Sequence, residues 1–175
     1  MTSSSNVYLV GPMGVGKTTI GRTLAIELAL EFIDSDQEIE NRTGVSITTI
    51  FDIEGDEGFR LREMNVIGEL AKRRGILLAT GGGAILSSTN RKILRNTGLV
   101  VYLHATVEMQ LERTRNSRNR PLLNNGDRKH VIQKLMKQRE PLYRQEADII
   151  YYTDSRSPHT AAKQIAEEIR EKWQS

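Results

Sequence analysis

The stretch "VYLVGPMGVGKTTIGRTLA", residues 7–25, decides which fold the chain adopts. Its first four residues, 7–10, form a short apolar run that predicts a buried strand. "GPMGVGKT" follows, and the pattern after it predicts an amphipathic helix near 16–30. This order of strand, glycine-rich turn and helix is the context in which the motif G-x-x-x-x-G-K-[ST] folds as a phosphate-binding loop.

The residue types of this phosphate loop (residues 11–19) suit the binding of a nucleotide. Its glycines let several backbone N–H groups converge on phosphate oxygens, and the start of the helix adds the positive end of its dipole. Lys17 is expected to reach the outer phosphates, and the Thr18 hydroxyl to ligate a bridging Mg²⁺ ion. With the full motif in its context, the alternative of a glycine turn that only caps a helix is disfavoured. The expected nucleotide contacts are Gly14, Val15, Gly16, Lys17, Thr18 and Thr19.

Further apolar segments alternate with helical patterns along the rest of the chain. Such alternation predicts an α/β fold with a parallel sheet covered on both faces. At 175 residues the chain fits one domain, 1–175. Ligands of such sheets bind at the carboxyl ends of the strands, so the residues after each strand are the candidates. Strands are predicted at 76–79, 99–103 and 149–152, with a shorter one at 32–33, and helices near 57–73, 87–96, 106–114, 127–146 and 158–173.

The composition excludes several classes of protein. No apolar run approaches the roughly 18–20 residues that cross a bilayer, and "MTSSSN" lacks the basic and apolar regions of a signal peptide. The absence of cysteine excludes disulfides and thiolate metal sites and suits a reducing compartment. The net charge of +3 is too small to indicate a nucleic-acid partner, although it favours anionic small molecules. We therefore expect a cytoplasmic protein that binds neither membranes nor nucleic acid.

The motifs of two common nucleotide-hydrolysing classes are incomplete. "DIEG" at 52–55 matches the D-x-x-G of GTPases, but the chain has no N-K-x-D to read guanine. Motor and transport ATPases place a magnesium-binding aspartate after a second buried strand, where this chain has Thr80 and His104. The acidic residue near the metal must therefore come from another segment.

Two carboxylates follow the short strand predicted at 32–33. Asp34 and Asp36 are spaced i, i+2, which in an extended segment points both side chains the same way. One is expected to join the magnesium shell, and the other to accept a hydrogen bond from a substrate hydroxyl and help remove its proton. The alternative is helix capping, with Ser35 or Asp36 as the N-cap residue of a following helix.

Three glycines, Gly81, Gly82 and Gly83 (the glycine triplet), closely follow the strand predicted at 76–79. The missing side chains permit the close approach of a small polar substrate to backbone N–H donors. The alternative is a flexible connector, but a connector seldom needs three glycines beside a core strand. We interpret the triplet as part of a substrate site.

Two arginines on predicted helices are candidates for binding a carboxylate. Arg60 and Arg139 are each flanked by apolar residues, and a guanidinium can bind a carboxylate through two parallel hydrogen bonds. Glu63 lies one turn after Arg60 and can orient it through an i, i+3 pair. For any single arginine a solvated helix face is the alternative, and spacing alone does not select these two from the rest.

The segment "RTRNSRNRPLLNNGDR", residues 113–128, is poor in apolar residues and joins two predicted helices. We interpret it as a lid over about 114–126, from which Arg120 can neutralise charge on a phosphate in transfer. A nucleic-acid patch is the competing interpretation. It is disfavoured because no aromatic residues are interleaved for base stacking.

Six motifs occur in one order along the chain, namely "GPMGVGKTT", "DSDQEIENRTG", "IFDIEGDEGFRLRE", "LATGGGAI", "RPLL" and "REPLYR". In these motifs the chain closely resembles the shikimate kinase family, from about Val7 to the final helix. The resemblance implies a three-layer P-loop kinase fold with a five-stranded parallel sheet flanked by helices. It also implies an ATP-dependent, Mg²⁺-requiring kinase. Such an enzyme phosphorylates the 3-hydroxyl of shikimate, giving shikimate 3-phosphate and ADP on the route to chorismate and the aromatic amino acids.

The resemblance implies a role for each ambiguous residue. Asp36 corresponds to the aspartate that binds shikimate hydroxyls and is the candidate base, and Asp34 belongs with Thr18 to the magnesium environment. Arg60 and Arg139 correspond to the arginines that clamp the shikimate carboxylate. The substrate-binding segment then covers about 34–63. The other implied contacts are the glycine triplet with shikimate, Arg120 with the phosphates, and Arg113 and Arg156 on the adenine side.

Three further interpretations complete the expectations from the sequence. The protein is expected to be a monomer whose small-molecule partners are shikimate and ATP. The alternative within enzymes is another small-metabolite kinase of the same fold, such as a gluconate kinase. The alternative from another class is a nucleotide-binding regulatory module without transfer activity.

Overall fold

The computed structural model describes residues 5–115 and 127–175. These residues form a five-stranded parallel sheet in the order β2-β3-β1-β4-β5, flanked by helices, which confirms the predicted fold class. The strands are β1 Asn6–Val10, β2 Glu31–Asp34, β3 Ile76–Ala79, β4 Gly98–His104 and β5 Ile149–Tyr152. The described helices are α1 Lys17–Leu28, α2 Ser35–Thr43, α3 Ile47–Leu70, α4 Ser88–Thr97, α5 Val107–Thr114, α6 Arg128–Glu146 and α7 Pro158–Gln174, with a 3₁₀ turn at Ala84–Leu86. None of these described helices has the length and apolar character needed to cross a bilayer.

The sheet has a hydrophobic core on each face because successive residues of a strand point to opposite sides. Val7 and Leu9 of β1 pack in the core formed with α1 and α7. Tyr8 and Val10 pack in the other core, which includes residues of α3, α4 and α6. This burial on both faces explains why the central strands are continuous apolar runs rather than alternating patterns.

The region between β2 and β3 departs from the prediction made from the sequence. The helix predicted near 57–73 begins ten residues too late, because α3 starts at Ile47. Gly55, at φ 71° and ψ −177°, interrupts the helical backbone within α3, so the periodicity does not continue across it. Phe51 and Phe59 lie on the two sides of this break, and their ring centroids are 4.7 Å apart.

Three strands bring the predicted site segments to one edge of the sheet. In the parallel register, Ala79 of β3 pairs with Leu9 of β1 on one side and with Asp34 of β2 on the other. The phosphate loop, the glycine triplet and the start of α2 therefore follow their strands at the same level. This edge is where open α/β sheets bind their ligands.

Candidate active site

A cleft of about 880 Å³ opens at the carboxyl ends of β1, β2 and β3. It is bounded by the phosphate loop, the starts of α1 and α2, residues of α3, the glycine triplet and α6. Most of the sequence-predicted site residues line it, which places nucleotide and substrate candidates in one continuous space. These lining residues are Gly14, Gly16, Lys17, Thr18, Thr19, Asp34, Asp36, Arg60, Glu63, Gly81, Gly82, Gly83, Arg113 and Arg139.

The phosphate loop depends on glycine at defined positions. Gly14 and Gly16 have φ of 75° and 94°, in the left-handed region that favours glycine. A Cβ atom on Gly14 would lie 2.8 Å from the Cγ2 atom of Thr114, so the loop also packs closely on α5. Gly16 is the N-cap of α1 and supplies no side-chain hydrogen bond within the described structure. The first N–H groups of α1 are therefore suited to an anionic ligand.

Lys17 and Val15 take different positions in this loop. The Nζ atom of Lys17 donates to the carbonyl oxygens of Gly11 at 2.6 Å and Pro12 at 2.8 Å, which holds the ammonium over the loop. The Val15 side chain is buried in the core instead. Only the backbone of Val15 is thus available to a nucleotide.

Asp34 and Thr18 bring two hard oxygen ligands together beside the phosphate loop. The Thr18 hydroxyl donates to the Oδ2 atom of Asp34 at 3.0 Å. In the described part of the chain, no group of three or more His, Cys, Asp or Glu side chains could hold a metal ion. This arrangement fits Mg²⁺, which typically takes one or two protein oxygens and completes its octahedron with waters and substrate phosphates.

Asp34 and Asp36 do not lie in one extended segment, so that expectation was wrong. β2 ends at Asp34 and α2 begins at Ser35, which puts Asp36 in the first helical turn. Asp34 is itself the N-cap, because its Oδ1 atom accepts from the backbone N–H groups of Asp36 and Gln37. Neither Ser35 nor Asp36 has the capping role considered from the sequence. Helical geometry therefore directs Asp34 towards Thr18 and Asp36 towards the glycine triplet.

The glycine triplet is closely packed against the charged groups of the cleft. A Cβ atom on Gly81 would lie 2.9 Å from both the Asp36 Oδ1 and the Glu63 Oε2 atoms. On Gly82 it would lie 3.3 Å from the Nη1 atom of Arg139. The backbone N–H of Gly81 also donates to the buried Ser35 hydroxyl at 3.1 Å. This packing does not agree with a flexible connector.

Arg60 and Glu63 form the i, i+3 pair that their spacing predicts. The Nη1 atom of Arg60 donates to the Oε1 atom of Glu63 at 2.9 Å, and the Glu63 side chain is only 1% exposed. Burial raises the pKa of the Glu63 carboxyl to about 7, although the Arg60 guanidinium opposes this shift. The nearby carboxylate of Asp36 raises this pKa further. Glu63 therefore holds Arg60 in place while remaining close to its titration point near neutral pH.

Arg139 is not on a solvated helix face. It is 5% exposed, and burial lowers the pKa of its guanidinium. Its Nε atom has no hydrogen-bond partner among the described residues. A buried guanidinium with an unused donor is well suited to bind a carboxylate that enters the cleft.

Sequence reasoning missed an apolar part of the cleft. Ile47, Phe51 and Phe59 of α3 line it beside the charged residues. The guanidinium carbon of Arg60 lies 5.1 Å from the ring centroid of Phe59. These side chains offer van der Waals contact to the carbon framework of a small acid. The sequence signal for this part of the cleft is the spacing of the two phenylalanines within "IFDIEGDEGF".

The remaining predicted residues fall into three groups. Arg113 joins the phosphate loop to the segment after β5, since Nη1 donates to the Val15 carbonyl at 3.1 Å and Nη2 to that of Asp154 at 3.0 Å. Arg156 lies outside the set of described residues that line the cleft, and it pairs with Asp154 at 3.1 Å. Arg120 and most of the predicted lid, residues 116–126, lie outside the described residues.

The D-x-x-G match has no place at the phosphates. Asp52 and Gly55 belong to α3, and Gly55 is the residue at which its helical backbone breaks. Neither residue is among those that line the cleft in the described structure. The GTPase interpretation of this segment therefore has no structural support.

Comparisons with known proteins agree with this geometry. A family model described as shikimate kinase matches residues 13–172. The chain is 51% identical over 168 residues to shikimate kinase of Hahella chejuensis, covering 96% of this chain and 88% of that one. It is 50% identical over 170 residues to shikimate kinase of Pseudoalteromonas translucida, covering 97% and 99%. The structure is similar to that of shikimate kinase from Acinetobacter baumannii in complex with shikimate, with a TM-score of 0.95, 47% identity and coverage of 98% and 96%.

Proposed function

The chain belongs to the shikimate kinase family, and we propose that its cleft transfers the γ-phosphoryl group of ATP to the 3-hydroxyl of shikimate. The products are shikimate 3-phosphate and ADP, on the route to chorismate and the aromatic amino acids. The observation that supports this most is the packing of the glycine triplet. Gly81 lies against Asp36 and Glu63, Gly82 lies against Arg139, and Gly83 lies against Arg60. All of these residues line the cleft beside the phosphate loop.

On the acceptor side, the two arginines bind the carboxylate of shikimate. Arg60 and Arg139 both line the cleft and both approach the triplet, so their guanidinium groups can bind the same anion. Asp36 accepts the hydrogen bond of the 3-hydroxyl and orients this oxygen in line with the phosphorus. The triplet admits the ring because it has no side chains, and Phe51 and Phe59 provide the apolar contacts.

On the nucleotide side, the phosphate loop and the start of α1 bind the β- and γ-phosphates. Lys17 would exchange its contacts with the Gly11 and Pro12 carbonyls for phosphate oxygens, and Thr18 and Asp34 are the residues that would hold a Mg²⁺ ion. When bound, the ion neutralises charge on the phosphates. Most of the rate enhancement then comes from positioning and charge neutralisation by the protein.

The lid and the adenine side complete this assignment. We assign Arg120, on a lid over about 114–126, to the phosphate in transfer, where it neutralises charge as the lid excludes water. Arg113 and Arg156 are assigned to the adenine side; the bonds of Arg113 to the phosphate loop support its place there. We further propose a single kinase domain over 1–175, a monomeric and cytoplasmic protein, and a shikimate-binding segment over about 34–63.

The test of the function is ADP release from MgATP with shikimate, with gluconate and with no acceptor. We expect release that requires shikimate. Release with gluconate but not with shikimate would contradict the proposal and identify another small-metabolite kinase. MgATP binding without release in the presence of either acid would favour a regulatory module. The regulatory module is disfavoured, because a nucleotide sensor has no need of the aspartate and the arginines that form the acceptor side of the cleft.

A further inference from the structure

A buried tyrosine hydroxyl lies behind the proposed shikimate-binding site and has no role in the steps above. Tyr143 follows Arg139 by four residues on α6, so the two side chains share one face of the helix. The ring is 1% exposed and stacks on Tyr102 of β4, with centroids 5.0 Å apart and planes at 22°. The Tyr143 hydroxyl donates to the carbonyl oxygen of Gly82.

The same phenol also lies close to Arg139. The Arg139 guanidinium opposes the rise in the pKa of the Tyr143 phenol that burial causes, and a guanidinium can only donate hydrogen bonds. Burial raises the pKa of the phenol, so it stays neutral and carries a single proton. Since that proton is directed at Gly82, the phenol oxygen is left as an acceptor for Arg139. A bond between the two side chains therefore runs from the Arg139 N–H to the Tyr143 oxygen, whose O–H in turn donates to the Gly82 C=O.

We propose that Tyr143 is a positioning residue for shikimate, which fixes the Arg139 guanidinium and the Gly82 carbonyl relative to one another. This inference rests on the proposed function, since it concerns the same substrate site. Arg139 is buried and its Nε atom has no acceptor among the described residues, and the nearby phenol oxygen can act as an acceptor for this guanidinium. Gly82 and Arg139 are also in close contact, because a Cβ atom on Gly82 would lie 3.3 Å from Nη1. A shift of either group would displace the other.

The substitution Tyr143→Phe removes one oxygen atom and retains the stacked ring. We expect the KM for shikimate to rise by roughly 10- to 100-fold, the range for losing a buried hydrogen bond to a charged group. The KM for ATP and kcat should stay within about threefold, because the hydrogen bond that Tyr143 makes in the described part of the chain goes to Gly82 and not to the phosphate loop. Thermal unfolding of each variant shows whether the fold is retained.

Tyr102→Phe is the matched control, since it removes the same atom from the other ring of the stack. The Tyr102 hydroxyl is buried and has no hydrogen-bond partner among the described residues. We expect Tyr102→Phe to leave both KM values unchanged. If Tyr143→Phe and Tyr102→Phe raised the KM for shikimate alike, a loss of packing would explain both effects. That result would contradict the positioning role.

A double-mutant cycle tests whether Tyr143 acts through Arg139. In the Arg139→Ala background, Tyr143→Phe should change the KM for shikimate by less than about threefold, because the group it positions is gone. Full additivity of the two effects would overturn the proposal, as would an unchanged KM for shikimate in Tyr143→Phe alone. If the wild-type protein shows no shikimate-dependent ADP release, the proposed function itself fails. If the wild type is active and Tyr143→Phe is indistinguishable from it, only this inference fails.

Discussion

At the scale of single residues, the acceptor side is a small group of charges with little water around it. Arg60, Glu63 and Arg139 are all largely buried, and Asp36 lies against the same glycine as Glu63. In such surroundings the charge state of Glu63 depends on Arg60, Asp36 and Arg139, since burial weakens the screening of charges by water. An incoming carboxylate adds the negative charge that two arginines can share.

Glu63 makes stability depend on pH in a direction opposite to that of most carboxylates. Its pKa is raised from 4.5 to about 7 in the folded protein, so the folded state binds the proton more tightly than the unfolded state. The stabilising contribution of Glu63 to the free energy of unfolding is therefore fully present below pH 4.5 and is lost as pH rises through about 7. Glu63→Gln removes this dependence. Relative to that of the wild type, the free energy of unfolding of this variant should rise by about 3 kcal/mol between pH 4.5 and pH 8.

Urea unfolding at several pH values measures this difference. The matched control is Glu167→Gln, which changes an exposed glutamate on α7. Its unfolding free energy should follow that of the wild type across the range. Parallel curves for Glu63→Gln and wild type would show that Glu63 is not the group responsible.

At the scale of elements, the site is built where three strands end and helices or turns begin. The turn after β3 is the most restrictive of these, because each glycine of the triplet faces a charged side chain. At Gly83 a Cβ atom would lie 2.6 Å from the guanidinium carbon of Arg60. The backbone there has φ −94°, which any residue adopts, so the glycine is needed only for this approach.

Gly83→Ala should therefore impair substrate binding more than folding. The guanidinium of Arg60 is the flexible end of its side chain and can move away from the new methyl group. We expect the KM for shikimate to rise by at least about tenfold, equivalent to about 1.4 kcal/mol, with the KM for ATP unchanged.

Steady-state kinetics and thermal unfolding separate these effects. Gly68→Ala is the control, because a Cβ atom there makes only an ordinary contact of 3.8 Å with Ile93 on α4. If the KM for ATP rose with that for shikimate in Gly83→Ala, the turn would affect the whole cleft and not Arg60 alone.

At the scale of the whole molecule, the sequence predicted the sheet well because its signals are local. β3 and β5 have the predicted bounds, since both are short apolar runs bounded by polar or glycine residues. The start of α3 was missed because its helical backbone breaks at Gly55, and Phe51 packs on Phe59 across this break. Only the folded chain shows that contact.

Within the site, motifs with fixed spacing were easier to predict than relations between segments. The phosphate loop and the Arg60–Glu63 pair follow from positions close in the sequence. The sequence did not predict that Asp34 and Asp36 lie in different surroundings, because this depends on the start of α2 at Ser35. The hydrogen bond from Tyr143 to Gly82 joins residues 61 positions apart, which no local pattern reports.

The central claim is that Asp36 directs phosphoryl transfer to a hydroxyl of shikimate, and Asp36→Asn tests it most directly. Its kcat for shikimate-dependent ADP release should fall by about 10²- to 10⁴-fold, while shikimate and MgATP still bind, because the amide can orient the hydroxyl but cannot accept its proton. Asp52→Asn, at an exposed aspartate of α3, is the control and should retain the wild-type rate. A kcat of Asp36→Asn within tenfold of the wild type would contradict the account.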